Sequence, residues 1–273
     1  MVTSQDRLED VGRVQGAAEP QVRLSVREVS KTYGSGRTAA TVIASLSFEV
    51  LAGEVVCVVG PSGVGKTTLL KCLSGLQPVS SGSVLLDGEE IDGPPRGMAL
   101  VFQDYTRSLM PWLTVERNVM LPLMGTGASR RERAEATSWA LRGVQLESTA
   151  KLCPWQVSGG LQQRVAIARA LAYKPEILLM DEPFASLDAQ TRFDLEDLLL
   201  RLRSELQMTI MFVTHDIDEA VYLGDRVIVL DSRPCMVQGI VDIDLPAERS
   251  QVSTRALQRF AELRTDLLLR IKR

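Results

Sequence analysis

Short apolar runs alternate with amphipathic segments along most of the chain, which predicts an alternating β/α architecture. Five apolar runs are typical of buried strands, at residues 54–59, 98–102, 176–180, 209–214 and 226–230. Residues 67–76, 189–206 and the segment that Asp216 and Glu219 would cap have the spacing of helices. Residues 23–29 and 41–50 alternate apolar with polar positions, and residues 83–88 predict a strand that ends in a hairpin turn.

The strand pattern gives way to helices between Asp104 and about Gly143. Thr114 is placed to begin one helix, and Ser129 with Glu132 predicts a capping box for a second. We therefore expect a helical insertion in an otherwise alternating β/α chain.

The last part of the chain predicts an amphipathic helix. Its apolar residues are Leu257, Phe260, Leu263, Leu267 and Ile271. This spacing favours packing on the body of the protein, and a basic helix that lies on a membrane surface is the alternative.

The composition is globular, with 45% hydrophobic and 24% charged residues. A formal net charge of −3 gives no electrostatic footprint for nucleic acid. The four cysteines are scattered without a C-x-x-C pair, which indicates reduced thiols and no zinc site. No apolar run approaches the ~18 residues that span a bilayer, and residues 1–20 are polar and expected to be disordered. These features predict a cytoplasmic protein.

The strongest chemical signal is a glycine-rich stretch between a predicted strand and a predicted helix. Its residues are Gly60, Pro61, Ser62, Gly63, Val64, Gly65, Lys66, Thr67 and Thr68, which fit the phosphate-binding pattern G-x-x-x-x-G-K-S/T. Backbone N–H groups of such a loop surround phosphate oxygens, and the helix N-terminus adds partial positive charge. We expect Lys66 to reach the β- and γ-phosphates and the Thr67 hydroxyl to ligate Mg²⁺.

Other polar residues follow predicted strands, where ligands of doubly wound sheets bind. Asp181 and Glu182 follow an apolar strand, so we expect Asp181 to hold Mg²⁺ and Glu182 to act as general base for a water. Gln103 follows a second strand in the same way. Ser158-Gly159-Gly160 precedes a helix and either cradles a second anion or caps that helix.

Two further residues have open interpretations at this point. Tyr33 lies just before the nucleotide fold, where an aromatic ring either stacks on adenine or packs at an edge. His215 is the only histidine and follows a strand, so it is either a site residue or an ordinary polar residue.

In their order along the chain, these elements resemble the ATP-binding subunit of ABC transporters. The elements are Tyr33, the phosphate loop, Gln103, residues 158–164, Asp181 with Glu182, Ser186-Leu187-Asp188, and His215, and they cover about residues 22–231. The resemblance implies that Tyr33 stacks on adenine, that Gln103 senses Mg²⁺ and water, and that His215 is the switch histidine. It also implies that the loop containing Asp188 crosses between two subunits.

The resemblance identifies residues 157–161 as the family signature, which contacts γ-phosphate bound on the opposite subunit. Val157 replaces the usual leucine and Leu161 the usual glutamine. Neither change removes Ser158 or the two glycines, so we expect an active site.

The same resemblance implies the fold, ligands and partners. The fold is an α/β P-loop NTPase core, a mixed or parallel sheet with flanking helices, with an antiparallel β subdomain and a helical insertion. The ATPase domain would span residues 21–231, with the insertion at about 104–165 and a tail at 232–273. ATP and Mg²⁺ are the implied ligands. The implied partners are a second copy of the chain, integral membrane permease subunits at the inner face of the membrane and, indirectly, a substrate-binding protein.

The run Pro111-Trp112-Leu113-Thr114-Val115 resembles the importer branch that serves nitrate, taurine and alkanesulfonates. We expect residues 104–124, around Tyr105 and Leu109, to receive a helix of the membrane subunit. Two alternatives are a soluble ABC ATPase of DNA repair or translation and a P-loop kinase of a small metabolite. The short insertion and single nucleotide domain argue against the first, and the signature with the Asp-Glu pair argues against the second.

Overall fold

The computed structural model describes residues 21–231 and 233–271. The segment 1–20, for which we expected disorder, lies outside the described residues. No helix within the described ranges has both the length and the apolar character needed to cross a bilayer.

Ten strands and eight α-helices are described within these ranges. The strands are β1 Val22–Tyr33, β2 Ala40–Leu51, β3 Val55–Val59, β4 Ser81–Leu86, β5 Glu89–Glu90, β6 Met98–Val101, β7 Ile177–Asp181, β8 Thr209–Val213, β9 Arg226–Asp231 and β10 Met236–Asp242. The helices are α1 Lys66–Leu73, α2 Tyr105–Ser108, α3 Val115–Met120, α4 Arg130–Gly143, α5 Gly159–Ala172, α6 Ala189–Leu206, α7 Ile217–Leu223 and α8 Gln258–Ile271.

The strands form two sheets, as the sequence predicts. A four-stranded antiparallel sheet has the order β2-β1-β4-β5, and a six-stranded sheet has the order β10-β9-β3-β8-β7-β6. In the second sheet β9, β3, β8, β7 and β6 are parallel, and only β10 runs antiparallel. The expected α/β fold with an antiparallel β subdomain is therefore confirmed.

Both faces of the central sheet are covered, which explains why its inner strands are apolar throughout. Val55, Cys57 and Val59 of β3 point to one face and pack with the helical insertion and α5 to α8. Val56 and Val58 point to the other face and pack with α1 and the antiparallel sheet. Because both faces of the sheet are buried, the polar residues of the site lie at the carboxyl ends of its strands.

The helical insertion has the predicted caps. The Thr114 hydroxyl accepts a hydrogen bond from the backbone N–H of Arg117, and Ser129 with Glu132 forms a reciprocal capping box at the start of α4. The side chains of Tyr105 and Leu109, however, are buried, with exposed fractions of 5% and 2%. The expectation that these two residues form an open docking surface is wrong, because both pack in the core that the insertion shares with the central sheet.

Two element ends differ from the sequence prediction. Helix α1 ends at Leu73 and not near residue 76, because Gly75 adopts φ +68° and a Cβ there would lie 2.2 Å from the Gly93 carbonyl oxygen. Strand β10 was not predicted; its partly exposed position at the sheet edge gives it no continuous apolar run. It extends the central sheet past residue 231.

The C-terminal helix packs on the body of the protein. Phe260, Leu263 and Leu267 of α8 are buried in the core beside α7 and β9. Arg264 adds an ion pair to Asp218 of α7, with Nε 2.8 Å from Oδ1. The membrane-surface alternative would need this apolar face to be free, and it is covered.

Candidate functional site

The phosphate loop joins the end of β3 to the start of α1 through a backbone that requires glycine. Gly63 and Gly65 have φ values of +72° and +122°, which disfavour any residue with a Cβ. At Gly60 a Cβ would lie 2.7 Å from the carbonyl oxygen of Leu230 on the neighbouring strand. The loop therefore wraps closely against β9, with its N–H groups at the N-terminus of α1.

The positively charged ammonium of Lys66 lies at the mouth of this loop. Its side chain is buried, and its Nζ donates to the carbonyl oxygens of Gly60 at 2.8 Å and Pro61 at 3.1 Å. Burial lowers the pKa of Lys66, and the carboxylates of Glu182 and Asp181 oppose that shift. Among the residues that the structure describes, this ammonium donates only to carbonyl oxygens of its own loop, so an anionic phosphate fits as a further acceptor.

Thr67 and Asp181 bring two oxygen groups together beside the loop. The Thr67 hydroxyl donates to Oδ1 of Asp181 at 3.3 Å. Burial raises the pKa of Asp181, although the bond from Thr67 opposes the shift. A hydroxyl and a carboxylate are ligands that Mg²⁺ accepts. The described ranges contain no group of three or more His, Cys, Asp or Glu residues that could hold a metal, so phosphate and water would have to supply the other ligands.

Glu182 lies at the centre of a second cluster. Its Oε2 atom accepts a hydrogen bond from Gln103 Nε2 at 3.1 Å and lies 3.2 Å from His215 Nδ1. The three residues follow β6, β7 and β8, which are adjacent parallel strands, so their carboxyl ends meet at one edge. Glu182 has φ +42°, a left-handed conformation that is uncommon outside glycine and that occurs often at functional sites.

The signature residues lie apart from the phosphate loop in the single chain. Ser158 caps α5, with its hydroxyl accepting from the N–H of Leu161. Gly160 lies so close to α6 that a Cβ would be 2.1 Å from the Thr191 methyl carbon. Within the described ranges, no hydrogen bond or ion pair joins residues 158–160 to the phosphate loop. Asp188 caps α6 and accepts from the N–H and hydroxyl of Thr191.

Tyr33 ends β1 with a partly exposed ring. Its hydroxyl donates to Oε1 of Gln77 at 2.5 Å, and the Lys31 ammonium lies 5.1 Å from the ring centroid. These contacts hold the ring at the end of the antiparallel sheet without covering it, so its exposed part is available for stacking.

Arg233 is a residue near the site that the sequence reasoning missed. Its Nη2 lies 3.5 Å from the Ser62 carbonyl oxygen and 2.6 Å from the point where a Cβ of Gly63 would be. Within the described ranges Arg233 forms no ion pair. The sequence feature that could have identified Arg233 is its position just after β9, the strand beside β3.

The family model and the similar curated proteins all point to the same family. The family model described as ABC transporter matches residues 43–185. An uncharacterized ABC transporter ATP-binding protein of Methanocaldococcus jannaschii is 46% identical over 87% of this chain and 88% of its own length. The nitrate import ATP-binding protein of Synechocystis is 39% identical over 86% of this chain and 87% of its own length. The aliphatic sulfonates import ATP-binding protein of Bacillus cereus is 38% identical over 92% and 96%, respectively.

The fold has a close match among solved structures. The dimeric ATP-binding cassette MJ0796, in a post-hydrolysis state bound to ADP and Pi, superposes with a TM-score of 0.71. It is 34% identical, and the match covers 81% of this chain and 98% of the cassette. The chain has the phosphate loop, and the family model matches more than half of its length. This chain therefore belongs to the ATP-binding subunits of the ABC transporter family and is an ABC-type ATPase.

Proposed function

We propose that this chain is the ATP-hydrolysing subunit of an importer for a small anion such as nitrate, a sulfonate or taurine. The main support for ATP hydrolysis is that Gln103 and His215 both contact the carboxylate of Glu182 beside the phosphate loop. The names of the nitrate and sulfonate import relatives support the transport part.

In this proposal the chain binds ATP with the groups that converge on its phosphate loop. Tyr33 stacks on adenine, the loop N–H groups and Lys66 bind the β- and γ-phosphates, and Thr67 with Asp181 and Gln103 would hold Mg²⁺. Bound Mg²⁺ neutralises charge on the phosphate oxygens.

Glu182 is then the general base of hydrolysis. A water attacks the γ-phosphorus as the bond to the β-phosphate oxygen of ADP breaks, and Glu182 accepts the proton of that water. Gln103 and His215 contact the same carboxylate oxygen, so they fix the direction in which the carboxylate faces.

A second copy of the chain completes each site in this proposal. Ser158, Gly159 and Asp188 are exposed, and in the described part of the chain they have no hydrogen bond to their own phosphate loop. Placed against a second copy, the signature N–H groups would bind the γ-phosphate of the partner's nucleotide. The dimeric state of the cassette bound to ADP and Pi supports this arrangement.

The permease subunits would dock on the exposed apolar side chains of residues 104–124 and of Phe102 just before them. These are Phe102, Trp112, Leu121 and Met124, of which Trp112 is 74% and Met124 60% exposed. Exposed aromatic and methionine side chains are typical of interaction surfaces. The docked subunit would lie at the inner face of the membrane and act indirectly with a substrate-binding protein.

The proposal is tested in the native organism by deletion and complementation. Without the gene, growth on nitrate or on a sulfonate as sole nitrogen or sulfur source should stop, together with uptake of the labelled anion. Normal growth on every such source would contradict the importer and favour the non-transport alternative.

The docking surface is tested with Trp112→Ala combined with Met124→Ala. Anion uptake should fall about tenfold or more, while the ATPase of the purified subunit stays within about twofold, because interface anchors of this kind dominate binding. Leu269→Ala is the matched control, since Leu269 is 59% exposed on α8, far along the chain. Equal uptake by the double variant and the control would place the dock elsewhere.

A further inference from the structure

Helix α6 connects two loops of the site through Arg192. Asp188 caps this helix, and the backbone N–H of Arg192 donates to the Asp188 carbonyl oxygen at 2.9 Å. The guanidinium of Arg192 reaches across to α7, where Nη1 donates to Oδ2 of Asp216 at 3.1 Å. The same nitrogen lies 3.7 Å from Oε1 of Glu219.

Asp216 directly follows His215 and uses its two carboxylate oxygens for different purposes. Oδ1 caps α7 by accepting from the N–H groups of Asp218 at 2.8 Å and Glu219 at 3.3 Å. Oδ2 binds Arg192. The residue after the histidine is therefore fixed to its own helix and to α6 at the same time.

Thr214, on the other side of the histidine, is fixed from the same helix. Its hydroxyl donates to Oε2 of Glu219 at 2.5 Å and accepts from the N–H of Asp216 at 3.0 Å. Glu219 was expected to cap α7, but its side chain is buried and used for this contact with Thr214. The backbone on both sides of His215 thus depends on Asp216 and Glu219, and both of these residues face Arg192.

We infer that Arg192 is a positioning residue that couples the Asp188 loop to His215. The inference rests on the proposed function, in which Asp188 contacts the partner subunit and His215 acts on the nucleotide of its own chain. When a partner moves the Asp188 loop, α6 carries Arg192 with it, and the contact to Asp216 transmits the movement to the histidine. In this role Arg192 acts through Asp216 and His215 and is not itself a catalytic residue.

A structural role and a positioning role of Arg192 differ in what they affect. The side chains of Arg192 and Asp216 are 29% and 32% exposed, so their ion pair is partly screened by water and its loss affects stability modestly. Small displacements of a catalytic group, in contrast, cost large factors in rate. A positioning role and a structural role therefore predict different experimental results.

The test compares Arg192→Met, which removes the guanidinium, with Arg192→Lys, which keeps a charge. In the full chain at saturating ATP, Arg192→Met should lower kcat about tenfold, with KM and ATP affinity changed by less than about twofold. Arg192→Lys should recover part of the loss. Arg264→Met is the matched control, because Arg264 also pairs with a carboxylate of α7, Asp218, but from the tail helix, and it should keep wild-type kcat.

A double-mutant cycle identifies the route of the effect. In a His215→Ala background, Arg192→Met should have little further effect on kcat, because the group that it positions is already absent. Wild-type kcat in Arg192→Met, or the same fold-loss in both backgrounds, would overturn the inference. If Glu182→Gln and His215→Ala lose hydrolysis while Arg192→Met turns over normally, this inference alone is rejected. If Glu182→Gln and His215→Ala turn over normally, the proposed site is rejected.

Discussion

The Nδ1 atom of His215 lies 3.2 Å from Oε2 of Glu182, and that same oxygen accepts a hydrogen bond from Gln103. Glu182 comes 79 positions after Gln103 and 33 positions before His215 along the chain. The three residues meet because β6, β7 and β8 are adjacent and parallel. These two contacts restrict rotation of the carboxylate, and in the proposed mechanism its second oxygen, Oε1, accepts the proton of the attacking water.

Glu182→Gln should therefore abolish turnover while keeping nucleotide binding. The amide has the shape of the carboxylate but cannot accept the proton, and loss of a general base costs about 10²–10⁴ in rate. With hydrolysis blocked, ATP should hold two copies together, which size-exclusion chromatography with light scattering would detect as an ATP-dependent dimer.

The control for this prediction is Glu176→Gln, at the opposite end of the same strand, where the carboxylate pairs with Arg23. This variant should turn over ATP like the wild type. If Glu182→Gln also hydrolyses ATP at the wild-type rate, Glu182 is not the general base.

Arg233→Ala should weaken ATP binding. The guanidinium lies against Ser62 and Gly63 of the phosphate loop, where a positive charge favours bound phosphate. We expect about a two- to fivefold rise in Kd for ATP, partly reversed in Arg233→Lys, measured with a fluorescent ATP analogue. Arg131→Ala on α4 is the control, because Arg131 pairs with Glu135 on an exposed helix surface. An unchanged Kd at low salt would exclude a role of Arg233 in nucleotide binding.

Glu219 should make the stability of the protein depend on pH. Burial is the main cause that raises its pKa from 4.5 to about 8, with the nearby Asp216 and Glu196 adding to the shift, and with the Thr214 hydrogen bond and Arg192 opposing it. The folded state therefore binds a proton more tightly than the unfolded state. The contribution of this group to stability is full below pH 4.5 and is lost as the pH rises through about 8.

Glu219→Gln removes this ionisation and keeps an oxygen that can accept from Thr214. Relative to the wild type, its melting temperature should rise by several degrees between pH 5 and pH 8.5, since about 1 kcal/mol corresponds to about 2–4 °C for a domain of this size. Calorimetry at a series of pH values measures this difference. Parallel curves for the two proteins would show that Glu219 titrates alike in the folded and unfolded states.

The sequence predicted the five parallel strands of the central sheet and the strand ends at which the candidate site residues lie, but it did not predict the edge strand β10. Gln103, Asp181 and His215 were found because buried parallel strands are continuous apolar runs, and the first polar residues after them lie at the ligand-binding edge. The phosphate loop was found because its glycines and Lys66 have a fixed spacing.

Contacts between distant elements were not predictable in this way. Tyr105 and Leu109 were expected at the docking surface, but a hydrophobic residue in an insertion packs inward or faces a partner, and local pattern does not distinguish these outcomes. The contact of Arg192 with Asp216 joins residues 24 positions apart on two helices. It depends on how α6 and α7 pack, which no short-range pattern specifies.

The last prediction concerns which chain completes each site, and it uses two variants that are inactive alone. Lys66→Ala removes the ammonium that binds to the phosphate loop, and it should abolish both tight ATP binding and hydrolysis. Ser158→Arg places a bulky cation at an exposed helix cap, where the single chain tolerates it and a signature facing a partner does not.

Mixing the two variants separates action across an interface from action within one chain. In a mixed dimer one site combines both lesions, while the other pairs an intact Lys66 with an intact Ser158 from the partner. Hydrolysis should therefore return to about a quarter of the wild-type rate if pairing is random and the sites act independently. If Lys66 and Ser158 of one chain served the same site, neither site of a mixed dimer would be intact. Zero recovery, together with a Glu182→Gln protein that stays monomeric at saturating ATP, would therefore refute the shared site.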